Sequence, residues 1–207
     1  MAAAEKVDFR KSRPDLFSAP KDSWQTVDLP PIRYLMADGQ GAPYAPAYQN
    51  AVEVLYSTAY PLKFLSKTKL GRDYVVPPLE GLWWSNDLDA FTQGRRDEWR
   101  WTMMIMLPDW LTDAQIAQGF AAARAKRPDN DFSRARSDVL HEGLSLQRLH
   151  IGSYADEAPI LAALHDAVMP GQGLGFNGHH HEIYLGDPRR TVPERLRTIL
   201  RQPVRKI

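Results

Sequence analysis

Two carboxylates stand among apolar and aromatic residues in segments that alternate as β-strands do. Alternation places Glu182 and Tyr184 on one face of such a strand, and it places Glu80 and Trp84 together in the same way. An ionised carboxylate among aromatic rings can hold a cationic ligand or take a proton from water, and one with a raised pKa can act as an acid. The alternative for both residues is a solvated strand position or a partner for a nearby arginine.

Aromatic side chains cluster around the first of these segments. Adjacent Trp83 and Trp84 point to opposite sides of a strand, so one of them faces any groove that the sheet carries. Flat aromatic walls bind planar or cationic ligands by stacking and cation–π contact, whereas core packing is the alternative for most of these rings. Tyr56 and Tyr60 are one helical turn apart, and either hydroxyl can reach a groove. Five of the six tryptophans lie within 28 residues: Trp83, Trp84, Trp99, Trp101 and Trp110.

Three consecutive histidines at 179–181 raise the question of a metal site. On a strand, His179 and His181 share a face, but no other ligand stands at a recognised spacing such as H-E-x-x-H. We therefore predict no metal and no cofactor. Strand and loop packing is the expected role of the histidines, and His181 can in addition orient its neighbour Glu182.

Composition excludes several classes of function. The chain of 207 residues lacks cysteine, which rules out disulfide scaffolds and thiol catalysis, and it lacks phosphate-binding loops and the G-x-S-x-G elbow. With 26 basic and 25 acidic residues, the charge balance argues against a dedicated nucleic-acid binder. No leader or apolar span is present, so we expect a cytoplasmic protein without membrane contact. The arginine-rich end after residue 187 lacks interleaved aromatics and is predicted to be a solvated surface whose charge can hold acidic groups elsewhere.

The elements that must position these residues occur twice. Each half shows a strand, a helix and two more strands, and the halves overlay with Glu80 on Glu182. The sequence therefore predicts an α+β fold with a duplicated β-α-β-β repeat, a curved antiparallel sheet, helices on one face and a ligand groove on the open face. Pro61 should kink or end the first helix. The predicted boundaries are an N-terminal arm at 1–23, then one domain at 24–207 with repeat one at about 24–110, a connecting helix at 112–126, a charged connector at 127–143 and repeat two at about 144–205.

Five motifs in order resemble those of stand-alone GyrI-like (gyrase-inhibitor-like) small-molecule-binding proteins. The resemblance covers about 24–205 and implies two β-α-β-β repeats around a central groove, with an acidic residue on the groove floor that maps onto Glu182. The motifs are P-L-E-G-x-W at 78–83, W-T-M-M-I at 101–105, Q-x-L-H-I-G-x-Y-x-x-E at 147–157, H-E-I-Y-L-x-D at 181–187 and L-R-T-I-L-R at 196–201.

The same resemblance implies a function. In relatives fused to DNA-binding domains the groove senses drug-like cations, and the 23 residues before Trp24 are too few for such a domain. Some stand-alone members hydrolyse cyclopropane-bearing, DNA-alkylating natural products. Carried onto this chain, Glu182 activates water, and Tyr56 or Tyr154 stabilises charge on the departing carbonyl oxygen. The residues expected to line and orient the site are Glu80, Trp83, Trp84, Trp101, His181 and Tyr184.

Three functions follow from these observations. The first is a hydrolase that detoxifies reactive electrophiles, and the second is a non-catalytic binder or sensor of aromatic or cationic molecules. The third is a topoisomerase-interacting module, which the near-neutral composition supports least. The expected partner is a small aromatic or cationic ligand, with no direct nucleic-acid contact, and the expected state is a monomer or weak homodimer.

Overall fold

One antiparallel sheet organises the chain in the computed structural model, which describes residues 6–87, 90 and 93–207. The strands in this part of the chain are β1 (Gln25–Leu29), β2 (Ile32–Gln40), β3 (Leu79–Trp84), β4 (Arg100–Met106), β5 (Ala135–Leu140), β6 (Gly143–Ile151), β7 (Leu174–Phe176), β8 (His180–Tyr184) and β9 (Arg197–Lys206). Their order in the sheet is β1-β6-β9-β8-β3-β4-β2-β5, and the short strand β7 pairs with β9 outside this order.

The two halves of the sheet are related by a pseudo-twofold axis between β3 and β8. On either side the order is the same, β3-β4-β2 in one half and β8-β9-β6 in the other, which confirms the duplicated β-α-β-β fold. The register at the axis places Gly81 opposite Glu182 and Trp83 opposite His180.

The helices in the described residues are α1 (Phe9–Ser12), α2 (Pro14–Phe17), α3 (Pro46–Lys69), α4 (Asp113–Lys126), α5 (Ala158–Ala163) and α6 (Met169–Gly171), the last two joined by a π-turn at Leu164–Val168.

Helices α3 and α4 cover the face of the sheet that carries Leu35 and Met103, here called the helix face. Helix α4 begins with the expected capping box, in which the Thr112 side chain accepts from the backbone of Gln115. Helix α3 does not end at Pro61, which was one of the two expected outcomes, but continues to Lys69. Buried residues follow the proline, and their packing against the core outweighs the roughly 3 kcal/mol that an interior proline costs.

The opposite face, here called the back face, is not open as the sequence predicted. The N-terminal arm lies on it, and Leu16 and Phe17 are buried in a cluster with Tyr34 and Met104. Burial of these four side chains removes apolar surface from water on the side that was expected to bind a ligand. The groove must therefore lie on the helix face.

The segment 127–143, expected to be a connector, contains an additional strand. Strand β5 pairs with β2 at one edge of the sheet, and its Arg136 pairs with Asp38. Charged residues suit an edge strand, because they discourage pairing with another chain, but they hide the strand from an apolar pattern. In the described residues, no helix combines the length and apolarity that a membrane span requires.

A line of buried polar groups, here called the buried charge chain, runs through the back face beneath the central strands. His181 Nε2 lies 3.0 Å from Glu80 Oε2, and its Nδ1 lies 2.9 Å from Glu142 Oε1. Arg201 lies 3.0 Å from the other oxygen of Glu142 and donates to the carbonyl oxygen of Leu16. Arg201 is fully buried, so this arginine is not part of a solvated surface as predicted, although it does hold an acidic group. The buried charge chain fastens the N-terminal arm to the sheet.

The charges in this chain depend on one another. Burial alone would lower the pKa of His181, but Glu142 and Glu80 outweigh burial and raise it to about 9. Burial alone would raise the pKa of Glu142, but His181 and Arg201 lower it to about 2. His181 is therefore charged at neutral pH, and it compensates the carboxylates that flank it.

This compensation predicts a pH-dependent stability. A histidine whose folded pKa is raised stabilises the fold fully below its unfolded value of about 6.5 and loses that contribution as pH rises through about 9. We expect the free energy of unfolding in urea to fall by on the order of 3 kcal/mol across that interval. His181→Gln should flatten the fall, while His141→Gln, at an exposed position, should leave it unchanged; a wild-type profile that is flat between these pH values would contradict the assignment.

Candidate functional site

A deep cleft of about 1540 Å³ lies on the helix face, between α3 and the helical segment that follows β6. Its floor is formed by side chains of β3 and β8, the two strands that meet at the pseudo-twofold axis. Aromatic rings dominate the walls. Residues that line it include Tyr44, Tyr48, Val52, Tyr56, Trp83, Trp99, Tyr154, Glu157, Leu161, His165, His180, Glu182 and Tyr184.

Glu182 lies at the centre of the floor and is largely buried, with 15% of its side chain exposed. The Tyr184 hydroxyl donates to the Glu182 carboxylate and accepts in turn from Trp83 Nε1 at 2.8 Å. His180 Nε2 lies 3.5 Å from Glu182 Oε1. Burial, followed by the charge of Glu182, raises the pKa of Tyr184 well above its usual value, so this hydroxyl keeps its proton. The carboxylate is thus oriented by a neutral hydroxyl.

A second carboxyl group, Glu157, stands beside Glu182. It is 4% exposed, accepts a hydrogen bond from Thr198, and shares another with Glu182. Burial and the charge of Glu182 raise the pKa of Glu157 to about 10, so Glu157 carries a proton at neutral pH. Sequence reasoning gave this residue no role, although the Q-x-L-H-I-G-x-Y-x-x-E motif ends on it.

The walls are built from rings that contact one another. Tyr48 stacks on Trp83 with ring centroids 6.3 Å apart, and Tyr154 meets Tyr184 edge-on at 5.8 Å. Tyr44 hydrogen-bonds Tyr154. Burial raises the pKa values of Tyr44, Tyr48 and Tyr154, so these tyrosines offer neutral hydroxyls and aromatic faces. Such a surface suits a planar ligand.

The structure brings most of the predicted residues into the cleft. Tyr154 lies beside Glu182, whereas Tyr56 lies farther along α3, near Asp187 and Arg189. Burial raises the pKa of Tyr56 to about 12, so its hydroxyl is also neutral. Trp84, at the end of β3, stacks on His179 at 4.2 Å at the rim.

Three predicted ligand-binding residues do not reach the cleft. Glu80 and His181 are on the back face, within the buried charge chain. Trp101 is on the helix face but is 1% exposed and lies beneath Tyr48, with ring centroids 5.5 Å apart. Glu80 was placed wrongly because the halves were overlaid with Glu80 on Glu182, and His181 was placed wrongly as a neighbour that orients Glu182, although alternation puts it on the other face. The actual register pairs Gly81 with Glu182, and a slip of one residue moves a side chain to the other face.

Gly81 explains why the E-G-x-W motif needs a residue without a side chain. A Cβ atom built there would lie 2.9 Å from Trp83 Nε1 and 3.1 Å from the Tyr184 hydroxyl. Because both contacts are below ordinary van der Waals distance, a larger residue would displace the two groups that orient Glu182. The motif therefore serves both faces of the sheet, since Glu80 belongs to the buried charge chain and Gly81 admits the Trp83–Tyr184 hydrogen bond.

Substitution of this glycine should damage the cleft. We expect Gly81→Ala to weaken binding of an aromatic ligand by about tenfold, since loss of one hydrogen bond costs about 1 kcal/mol and repacking adds to it. Titration followed by tryptophan fluorescence measures the change. Gly171→Ala is the matched control, because nothing lies within 4 Å of a Cβ atom at that position. Equal affinities for the two variants would show that the Trp83–Tyr184 contact does not shape the cleft.

Comparison with known proteins agrees with this architecture. Two crystal structures from Listeria innocua, of an uncharacterized conserved protein and of a hydrolase, are 39% and 38% identical to this chain, with TM-scores of 0.85 and 0.83; each match covers 97% of this chain and 100% of the other. The C-terminal domain of EcmrR is 9% identical with a TM-score of 0.57, over 89% of this chain and 98% of that domain, and shares the fold. No protein of curated function matched the sequence.

A family model decides the assignment. The GyrI-like small molecule binding domain matches residues 24–205, which include both repeats, the cleft and the buried charge chain from Glu80 onward. The chain therefore belongs to the GyrI-like small-molecule-binding domain family.

Proposed function

We propose that this protein hydrolyses aromatic electrophiles that contain a strained ring, in particular the cyclopropane ring of DNA-alkylating natural products, and that Glu182 is the general base. The observation that carries the proposal is the position of Glu182, a carboxylate held on the floor of an aromatic cleft by the hydroxyl of Tyr184. The relative named a hydrolase, which is 38% identical over nearly the whole chain, supports the reaction class.

The chemistry begins with a water molecule beside Glu182. A carboxylate has about four acceptor positions, and its hydrogen bonds to Tyr184 and Glu157 leave room for water. Glu182 takes a proton as the water oxygen attacks the least hindered ring carbon. A carbon–oxygen bond forms, a carbon–carbon bond of the cyclopropane breaks, and its electron pair moves through the conjugated ring to the carbonyl oxygen, which becomes a phenolate.

Tyrosine hydroxyls then stabilise the charge that develops on this remote oxygen. Tyr56 and Tyr154 both line the cleft and both keep their protons at neutral pH. A donor aimed at a developing oxyanion is a strong source of rate enhancement. The rings of Tyr48 and Trp83 hold the planar part of the substrate while the ring opens.

A non-catalytic binder of aromatic cations is the second candidate. The observation that favours it is the set of four tyrosine rings, Tyr44, Tyr48, Tyr154 and Tyr184, around an acidic group. Aromatic faces and a carboxylate attract a cation together. Turnover separates the two functions, because a binder leaves its ligand unchanged.

The role of Glu182 can be tested by product analysis. With a cyclopropanoid alkylator in ¹⁸O-labelled water, wild type should form a labelled ring-opened alcohol with multiple turnovers. Glu182→Gln keeps the size of the side chain but removes the base, so its kcat should fall by about 10²–10⁴-fold. Mass spectrometry measures the product, and Glu194→Gln, an exposed carboxylate outside the cleft, is the matched control.

Each variant should also be titrated with the ligand by tryptophan fluorescence. Binding by both proteins without any labelled alcohol would reject the hydrolase proposal in favour of the cation binder. Equal turnover by wild type and Glu182→Gln would reject Glu182 as the base.

A further inference from the structure

The cleft contains two adjacent carboxyl groups, whereas the opening of a conjugated cyclopropane requires only one of them. In that reaction the electron pair leaves through the conjugated ring to a distant oxygen, so the acid that helps it need not lie beside the base. Glu157 nevertheless stands directly beside Glu182 and is hydrogen-bonded to it. An acid next to a base suits a substrate in which the leaving atom is bonded to the attacked carbon.

We propose that the Glu157–Glu182 pair also opens aryl-substituted epoxides to vicinal diols, with Glu182 as the base and Glu157 as the acid. The inference rests on the role of Glu182 in the proposed function. Glu157 is a catalytic residue in this reaction because it lines the cleft and contacts the leaving oxygen.

The surroundings of Glu157 keep it protonated. It faces Glu182 on β8 and Thr198 on β9, and the acidic groups of its own segment are Asp156 and Tyr154. The charged groups that act on it, Glu182 and Asp156, are both acidic, and its side chain is 4% exposed. Its Oε1 is buried and has no hydrogen-bond partner among the described residues.

The reaction balances without any further reactant. Water attacks one epoxide carbon and loses a proton to Glu182, so a carbon–oxygen bond forms. The epoxide carbon–oxygen bond breaks, and its oxygen receives the proton of Glu157. Glu182 is then protonated and Glu157 ionised, and transfer of one proton along the hydrogen bond between them restores the starting state. The pair therefore supplies the base, the acid and the path by which the proton returns to Glu157.

The spacing of the pair separates this reaction from glycoside hydrolysis, which also uses two carboxyl groups. Glycosidases hold their carboxyl groups about 5–9.5 Å apart, to flank a sugar ring. Glu157 and Glu182 are hydrogen-bonded to each other and leave no space for a ring between them. Their proximity fits an epoxide, in which the leaving oxygen and the attacked carbon are neighbours, and the rings of Tyr48, Trp83 and Tyr154 suit aryl substituents.

The test uses trans-stilbene oxide in ¹⁸O-labelled water at neutral pH, with the cyclopropanoid alkylator assayed in parallel. Wild type should form the labelled diol with multiple turnovers. Glu157→Gln retains a hydrogen-bond donor toward Glu182 but cannot supply a proton, so its kcat for the epoxide should fall by about 10²–10⁴-fold. Glu194→Gln is the control, and fluorescence titration with trans-stilbene oxide shows whether the variant cleft still binds.

The outcomes distinguish the two proposals. Opening of the cyclopropane by wild type without any diol would overturn the epoxide inference and leave the proposed function intact. Diol formation by Glu157→Gln at the wild-type rate would overturn the role of Glu157. Diol formation that requires Glu157 and Glu182, in a protein that leaves the cyclopropane unopened, would support the inference and reject the cyclopropane as substrate.

Discussion

Strands β3 and β8 meet at the pseudo-twofold axis in a register that sets Gly81 opposite Glu182. Alternation along each strand then assigns every neighbouring side chain to one face of the sheet. Glu182, Tyr184 and Trp83 face the cleft, whereas Glu80 and His181 face the arm. The absence of a side chain at Gly81 lets the Trp83–Tyr184 hydrogen bond form directly above this pair. The cleft and the back face are therefore consequences of one strand pairing.

The two faces of the sheet bury carboxyl groups in different ways. On the back face, His181 lies between Glu80 and Glu142, and His181 and Arg201 together lower the pKa of Glu142 and hold its carboxylate in place. On the helix face, burial and the charge of Glu182 raise the pKa of Glu157, so Glu157 carries a proton at neutral pH. An ion-paired network stabilises a fold but leaves no group free to exchange a proton. A pair that shares one proton can exchange it with a ligand.

Local patterns in the sequence predicted much of this structure, because they report on local physics. Alternation identified β8 and the face of Glu182, and the capping box located the start of α4. Long-range features were not predictable in the same way. The register between β3 and β8 depends on pairing across 100 residues, and an overlay shifted by one residue placed Glu80 in the cleft. The charged segment of β5 forms a strand because it pairs with β2, and α3 continues past Pro61 because its later residues pack on the core. Both partners lie far away in the sequence.

The role of Glu157 in the site could not be predicted for the same reason. Its motif was visible in the sequence, but its role depends on Glu182, which lies 25 residues away on strand β8. Which of two acidic residues carries a proton is decided by their burial and distance in the folded chain.

The size of the cleft bears on the choice between binding and hydrolysis. Sites for drug-sized ligands usually measure about 300–1,000 Å³, and this cleft measures about 1540 Å³. One planar ligand stacked on Tyr48 and Trp83 therefore does not fill the cleft, and the remainder is left to water or to a second group of the ligand. Hydrolysis requires water beside Glu182 and sequestration does not, so the two functions differ in what they need from the space that the ligand leaves.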